Sequence, residues 1–307
     1  MIHQVNIYGQ DKVEVAIERI KTFEKEEGYY LCFSGGKDSC VIKALADMAG
    51  VKYDAHYSNT GIDPPELVLF IKKYHPDVIF ENPIDKDGRR VTMWSLIPRK
   101  LMPPTRLVRY CCKELKEEGG LGRMCMTGVR WAESANRKNN QGALTIYSSS
   151  KELEDNENFT KTKKGGVVLN NDNEESRKMV DSCYKQRKIT LNPIIDWSDE
   201  EVWEFLKEYD VPYCELYDQG FKRLGCIGCP MGGPKKQLEE FARYPKHEQL
   251  YLKSFEKMIE NRKAKGKKCE WETAQEVMDW WLEKKAADKA EQVGLFDELQ
   301  EMLAEYE

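Results

Sequence analysis

The chain has 307 residues, with 48 basic and 53 acidic side chains and a formal net charge of −5, which gives no global case for nucleic-acid binding. No apolar run reaches membrane-spanning length and "MIHQVNIYGQDKVEV" lacks the apolar stretch of a secretion signal, so a cytoplasmic protein without a membrane partner is expected. In a reducing compartment its ten cysteines read as core residues, metal ligands or redox groups rather than disulfides.

Val13, Ala16, Ile17, Ile20 and Phe23 recur at helical spacing and predict an amphipathic helix within 11–27. "GYYLCFS" (28–34) is a buried strand candidate, and "DSCVIKALADMAG" (38–50) a helix that stops on glycine. "VKYDAHYS" (51–58) reads as a strand, "PPELVLFIKKY" (64–74) as a helix opened by proline, and "DVIFEN" (77–82) as a third strand. "MCMTGVR" (124–130) and "ITLNPIID" (189–196) are further strand candidates. Strands alternating with helices predict an α/β fold, a Rossmann-like parallel sheet covered on both faces.

The stretch 138–178, rich in Asn, Ser, Lys and Glu, reads as an insertion or mobile loop with little core content. In "SDEEVWEFLKEYD" (198–210), Ser198 followed by Glu201 forms a capping-box pattern. From about 235 onward the sequence is helical in pattern, ending in "WWLEKKAADKAEQ" and a charged tail. The expected organisation is a nucleotide-binding domain over 1–234, with its polar insertion near 138–178, and a helical C-terminal lobe over 235–307.

The strand at 28–34 runs into "SGGKDS" (34–39), and a helix follows. Gly35 and Gly36 let the backbone turn its N–H groups onto an anion, and the helix N-terminus adds its dipole. Lys37 can supply a point charge, and Ser34 and Ser39 hydroxyl donors. The Walker pattern is absent: its first glycine would fall at Leu31, and Asp38 stands in its Ser/Thr position. An ordinary glycine turn capped by Asp38 is the bland alternative.

"SGGKDS" resembles the PP-loop of the adenine nucleotide α-hydrolase superfamily, whose members act on an adenine nucleotide at its α-phosphate. The likeness extends to its phosphoadenylyl sulfate (PAPS) and adenylyl sulfate (APS) reductase branch. In "NTGIDPPE" (59–66), Thr60, Gly61, Pro65 and Glu66 fit that branch while Asn59 replaces an aspartate. In "CMTGVRWAESANR" (125–137), Gly128, Arg130, Glu133, Ser134 and Arg137 fit. "NPIIDWSDEEVWEFLKEYDVPYCELYDQGFKRLGCIGC" (192–229) is similar to a third family segment. The resemblance implies that residues 34–39, Thr60, Gly61 and Gly128 contact the nucleotide (ATP, APS or PAPS) along the C-terminal ends of the strands. It makes Arg130 and Arg137 ligands of the terminal anion; Arg106 and Arg109 are weaker candidates.

Cys226 and Cys229 have C-x2-C spacing in "GCIGCPMGG", suited to half a zinc site, a redox pair or one side of a cluster. Cys111 and Cys112 are adjacent and can share one centre only in turn or helical geometry. The order CC and then C-x2-C resembles the APS reductases, which implies that Cys111, Cys112, Cys226 and Cys229 bind a 4Fe–4S cluster; zinc is the alternative metal. Cys183, near basic residues, is a candidate nucleophile or substitute ligand. Cys32, Cys40, Cys125 and Cys214 read as core, and Cys269 as unremarkable.

The reductases place a catalytic cysteine in a C-terminal tail, whereas this chain ends "LFDELQEMLAEYE" with Cys269 its last cysteine. Three functions follow. The first is a PAPS/APS-reductase-like iron–sulfur enzyme of sulfur metabolism with an electron donor as partner. The second is an AMP-forming ATP pyrophosphatase that transfers sulfur from a donor to a nucleic acid or small acceptor, with magnesium near Asp38 or Asp63 offsetting triphosphate charge. The third is a non-catalytic nucleotide sensor. In either enzyme Lys37, Asp38 and Cys183 are the catalytic candidates. The lysine-rich "RKAKGKK" (262–268) and "KTKKGG" (161–166) could face a nucleic-acid backbone, although such runs are more often solvated faces.

Overall fold

A computed structural model of the chain describes residues 9–117, 119–147, 151–183, 185 and 187–282. They fall into two compact units. The first takes in the chain up to Tyr57, Pro65–Glu81 and Gly119–Leu224; the second takes in Ser58–Pro64, Asn82–Glu118 and the chain from Gly225. The division therefore interleaves the sequence, rather than making the single cut near 234 that composition suggested.

The first unit is built on eight strands: β1 (Tyr29–Cys32), β2 (Tyr53–Ser58), β3 (Ile79–Glu81), β4 (Met124–Met126), β5 (Leu144–Ile146), β6 (Phe159–Lys161), β7 (Val167–Leu169) and β8 (Ile189–Leu191). Their order is β3-β2-β1-β4-β8-β5-β7-β6. β1 pairs in parallel with β2 and β4, and β4 with β8, whereas β5, β6 and β7 join antiparallel. The α/β, Rossmann-like architecture is thus present, with a mixed rather than wholly parallel sheet. Strand order reverses between β1 and β4, the kind of switch point that opens a crevice at the carboxyl ends of parallel strands.

Local chemistry starts the helices as the sequence indicates. The Asp11 side chain accepts the Val13 N–H at 2.7 Å and begins the helix Lys12–Thr22. Ser198 and Glu201 form the expected capping box of the helix Asp199–Glu208. The helix Lys37–Ala49 begins on Gly36, which offers no capping side chain, and ends on left-handed Gly50.

The polar stretch 138–178 is not a loop of little core content. It supplies β5, β6 and β7, and Leu144, Ile146 and Val167 are fully buried. Leu144, Thr145 and Ile146 pair with Leu191, Thr190 and Ile189 of β8. Its asparagines bond to one another: buried Asn158 accepts from the Asn171 and Asn173 amides at 3.0 and 2.7 Å. A few well-placed apolar residues among mutually bonded asparagines were enough to extend the sheet, and mean polarity concealed them.

The second unit contains the helices Met93–Lys100, Pro234–Arg243, Pro245–Ala264 and Ala274–Trp281. Leu96, Ile97, Tyr251, Phe255, Met258, Val277 and Trp281 form its core. The region from 235 is helical as far as it is described; the segment from 283 onward, including most of "WWLEKKAADKAEQ" and the charged tail, lies outside the described residues. No described helix is long and apolar enough to cross a membrane.

Candidate functional site

"SGGKDS" leaves the carboxyl end of β1 and enters the helix Lys37–Ala49 beside the β1–β4 switch point. There it lines a cavity of about 380 Å³, in the range of small-ligand sites. Gly128 follows β4 and lies against the start of the same helix. A Cβ there would stand 2.9 Å from the Asp38 carbonyl, so only glycine admits this approach. Ser39 donates to the Gly36 carbonyl at 2.8 Å, closing the turn.

Four charges meet at this wall. The Arg130 guanidinium, 1% exposed, donates to Asp38 and Asp199 at 2.6 Å each. The Lys37 ammonium lies 3.0 Å from Asp199 and 3.3 Å from Asp38. Burial disfavours the Arg130 cation, but the two carboxylates outweigh it and raise its pKa. Burial likewise opposes the Asp199 carboxylate, and Lys37 and Arg130 overcome it and hold its pKa low. Tyr217 completes the wall by accepting the Lys37 backbone N–H at 3.0 Å, the position a phosphate oxygen takes at a helix N-terminus.

Arg137 also lines the cavity and pairs with Glu133, four residues earlier. Lys222 and Arg223 line it as well. Of the sequence candidates, the cavity brings together Ser34, Gly36, Lys37, Asp38, Ser39, Gly128, Arg130 and Arg137. Arg130 differs from expectation: it is locked between two carboxylates instead of standing ready for an anion. Asp199, Tyr217, Lys222 and Arg223 were missed. They sit within the matched segment 192–229, but only folding against "SGGKDS" distinguishes them from its other polar residues.

The second unit holds Thr60 and Gly61. The Thr60 hydroxyl, fully buried, donates to Asp63 at 2.8 Å. The same unit gathers the two cysteine pairs. Cys111 and Cys112 occupy one helical turn, Tyr110–Cys112, which a π-helical turn, Lys113–Glu117, continues. That geometry lets adjacent thiols share a neighbourhood, which a strand would forbid. The Cys226–Cys229 loop is held along its backbone. Ile227 N–H donates to the Ile62 carbonyl at 2.8 Å, Gly228 N–H to Glu240 at 2.7 Å, and the Gln237 amide to the Gly228 carbonyl at 3.0 Å. Gly228 has φ +73°, and a Cβ there would lie 2.6 Å from the Phe241 ring.

The thiols feel one another. Cys111 donates its S–H to Cys112, and Cys226 and Cys229 act on it electrostatically. This donation, with Arg109 and Lys116 nearby, favours the Cys112 thiolate. Burial raises the Cys226 pKa to about 12, against the pull of Lys116. The donor set of four sulfurs suits a soft, thiolate-bound group in kind. Among the described residues, however, no three His, Cys, Asp or Glu side chains converge as a single metal ion would require.

The family model for the phosphoadenosine phosphosulfate reductase domain matches residues 28–231. The chain belongs to this family. An uncharacterized protein of Methanocaldococcus jannaschii is 28% identical over 241 residues, covering 76% of this chain and 47% of that protein. An adenosine 5'-phosphosulfate reductase of Staphylococcus epidermidis is 44% identical over 43 residues, 14% of this chain and 18% of the reductase. The chain thus spans less than half the length of these relatives. A solved phosphoadenylyl-sulfate reductase of Candida auris, in complex with phosphate, is 15% identical with a TM-score of 0.40, over 72% of this chain and 90% of that one.

Other candidates in this phosphoadenosine phosphosulfate reductase-domain chain sort differently. Cys183 closes the helix Glu174–Cys183, and its side chain lies outside the described residues. Cys40 and Cys214 are buried as expected of core residues, while Cys32 is half-buried and lines the cavity. In "RKAKGKK", Arg262 is 2% exposed and donates to the Leu101 carbonyl at 2.8 Å, so it is a structural residue and not a surface cation. "KTKKGG" forms the β6–β7 turn, where Lys161 pairs with Glu154 at 2.6 Å.

Proposed function

We propose that this chain is a sulfonucleotide reductase-like enzyme of sulfur metabolism that binds APS, PAPS or ATP in the "SGGKDS" cavity and acts at its α-phosphate or sulfate end. The observation that carries this reading is the cavity at the β1–β4 switch point, where a helix N-terminus, Lys37, Arg137, Lys222 and Arg223 face one space. The backbone N–H of Lys37 and its ammonium would hold phosphate oxygens once Tyr217 and Asp199 yield them. Arg137, Lys222 and Arg223 would take the terminal anion, and Arg130 would position Asp38 rather than touch substrate.

Cys111, Cys112, Cys226 and Cys229 would hold a 4Fe–4S cluster. The four-sulfur donor set and the mutual influence of the thiols support this reading, with zinc the alternative metal. Bound there, such a cluster would supply redox equivalents or an iron to hold sulfur.

A second reading is AMP-forming ATP-dependent sulfur transfer, which would use the same phosphate-holding cavity. Magnesium would then accompany the triphosphate, and an external sulfur donor and acceptor are required. Product analysis separates the readings: sulfite from APS or PAPS supports reduction, and AMP with pyrophosphate from ATP supports transfer. Tight nucleotide binding with neither product would defeat both in favour of a sensor.

A further inference from the structure

Two groups from distant parts of the sequence hold the donors of the phosphate loop. In the first turn of the helix Lys37–Ala49, the Ser39 and Cys40 N–H groups turn back onto the Gly36 carbonyl at 2.9 and 3.1 Å. The Lys37 N–H instead reaches the Tyr217 hydroxyl at 3.0 Å, and the Lys37 ammonium reaches Asp199 at 3.0 Å. A Cβ on Gly36 would stand 3.4 Å from the same Tyr217 oxygen, so the phenol covers the glycine turn.

The phenol is a weak occupant of that position. Burial raises its pKa against the pull of the Lys37 N–H, so it stays neutral. A phosphate oxygen in its place would make a charge-assisted bond, about twice as strong as a neutral one.

The ring also has space to withdraw into. Beside the phosphate cavity lies a second one of about 390 Å³. Trp203, Gly220 and Phe221 line it, and it shares Lys37, Asp199 and Tyr217 with the first. Both groups that hold Lys37 therefore border this neighbouring space. Trp203 meets Tyr217 edge-on, with ring centroids 5.2 Å apart and planes at 85°. The backbone around Tyr217 is tied: Gly220 N–H donates to the Tyr217 carbonyl and Phe221 N–H to the Leu216 carbonyl, both at 3.1 Å. The side chain is thus the part free to move.

We propose that Tyr217 is a latch on the phosphate loop: its hydroxyl stands in for an anion on the Lys37 N–H, and a ligand gains the loop by displacing the ring into the aromatic cavity. This rests on reading the "SGGKDS" cavity as a phosphate site, and it names the residue that opens it. The ligand class is an anion with two linked charged groups, a diphosphate or phosphosulfate. One group takes the N–H from Tyr217 and the other the ammonium from Asp199.

Calorimetry of inorganic pyrophosphate with the full chain, at low salt and without magnesium, tests the latch. Tyr217→Phe keeps the ring and removes the hydroxyl. It should bind pyrophosphate about three- to tenfold more tightly than wild type, the net worth of one neutral hydrogen bond. Tyr213 also packs edge-on against Trp203, but its hydroxyl bonds to Asp218 at 3.2 Å, so Tyr213→Phe should leave the affinity unchanged. In protein labelled with 3-fluorotyrosine, the fluorine resonance missing from Tyr217→Phe should shift when pyrophosphate is added to wild type. Equal or weaker binding by Tyr217→Phe, the same gain in Tyr213→Phe, or bound pyrophosphate that leaves this resonance in place would each overturn the latch. If wild type binds ATP, APS or PAPS and Tyr217→Phe binds none more tightly, the latch falls and the nucleotide reading stands. If Tyr217→Phe gains affinity for pyrophosphate while neither protein binds a nucleotide, the latch stands and the nucleotide reading falls.

Discussion

The Lys37 ammonium lies 3.0 Å from the Asp199 carboxylate, so the cation of the phosphate loop already has an anion. Asp199 is 64% exposed on its side-chain atoms and can be displaced toward water. Its carboxylate competes with phosphate for Lys37. Asp199→Asn should therefore tighten ATP or PAPS binding about three- to tenfold at low salt, with the gain shrinking as salt rises. Lys37→Ala should weaken it by at least about tenfold. Calorimetry checks both; equal binding by wild type and Lys37→Ala would remove Lys37 from the phosphate role.

Arg130 is a structural cation first. It is buried against Asp38, Asp199 and the Trp197 carbonyl, the last at 3.2 Å. Arg130→Met would leave Asp38 without its closest cation in a partly desolvated wall. The expected loss is about 3 kcal/mol in urea unfolding, with nucleotide affinity falling alongside it. A variant as stable as wild type that merely binds nucleotide more weakly would show that Arg130 is a ligand instead.

His75 makes the first unit sensitive to acid. Its ring packs against Phe33 and Phe70, and its Nε2 is buried without a hydrogen-bond partner. Burial, aided by Lys43, lowers its pKa to about 4 from an ordinary 6.5. The unfolded chain then binds more protons between these values, so stability is complete above pH 6.5 and declines as pH falls toward 4. About 2 kcal/mol should be lost between pH 8 and 5. His75→Phe should lack this component of the slope; unfolding midpoints across that range, compared between the two proteins, measure it.

The four cysteines of the second unit should act together in metal loading. Protein purified anaerobically should carry iron and acid-labile sulfide, and Cys111→Ser or Cys226→Ser should each lose most of both. Stoichiometric zinc without iron would refute the cluster.

Gly228→Ala should destabilise the second unit by about 2 kcal/mol or more, because it adds a Cβ against Phe241 at a left-handed φ. The same change should lower iron content, since this residue anchors the loop between Cys226 and Cys229. Full iron loading in Gly228→Ala would show that the loop tolerates distortion.

Much was legible in local sequence because local chemistry decides it. Glycines after an apolar strand can only turn, Ser198 and Glu201 cap a helix wherever they fall, and alternating periodicities select an α/β sheet. The lines of resemblance located Lys37, Gly128 and Arg137, and the structure assembles them in one cavity. Contacts that join distant segments were not legible. Asp199 and Tyr217 lie more than 150 residues from Lys37, and nothing in their own neighbourhoods marks them for its ammonium and N–H. Leu144, Ile146 and Val167 became core only by pairing with a sheet whose register their sparse pattern could not announce. Cys32 and Cys125 looked alike as apolar strand residues; strand order made them neighbours and left one facing the cavity. Sequence by itself determined which chemistry the chain carries, because residue type and short spacing set local turns, caps and donor sets. Tertiary structure decided which charges are already paired and which residues line the cavity, because Coulomb and hydrogen-bond partners are chosen by distance in space.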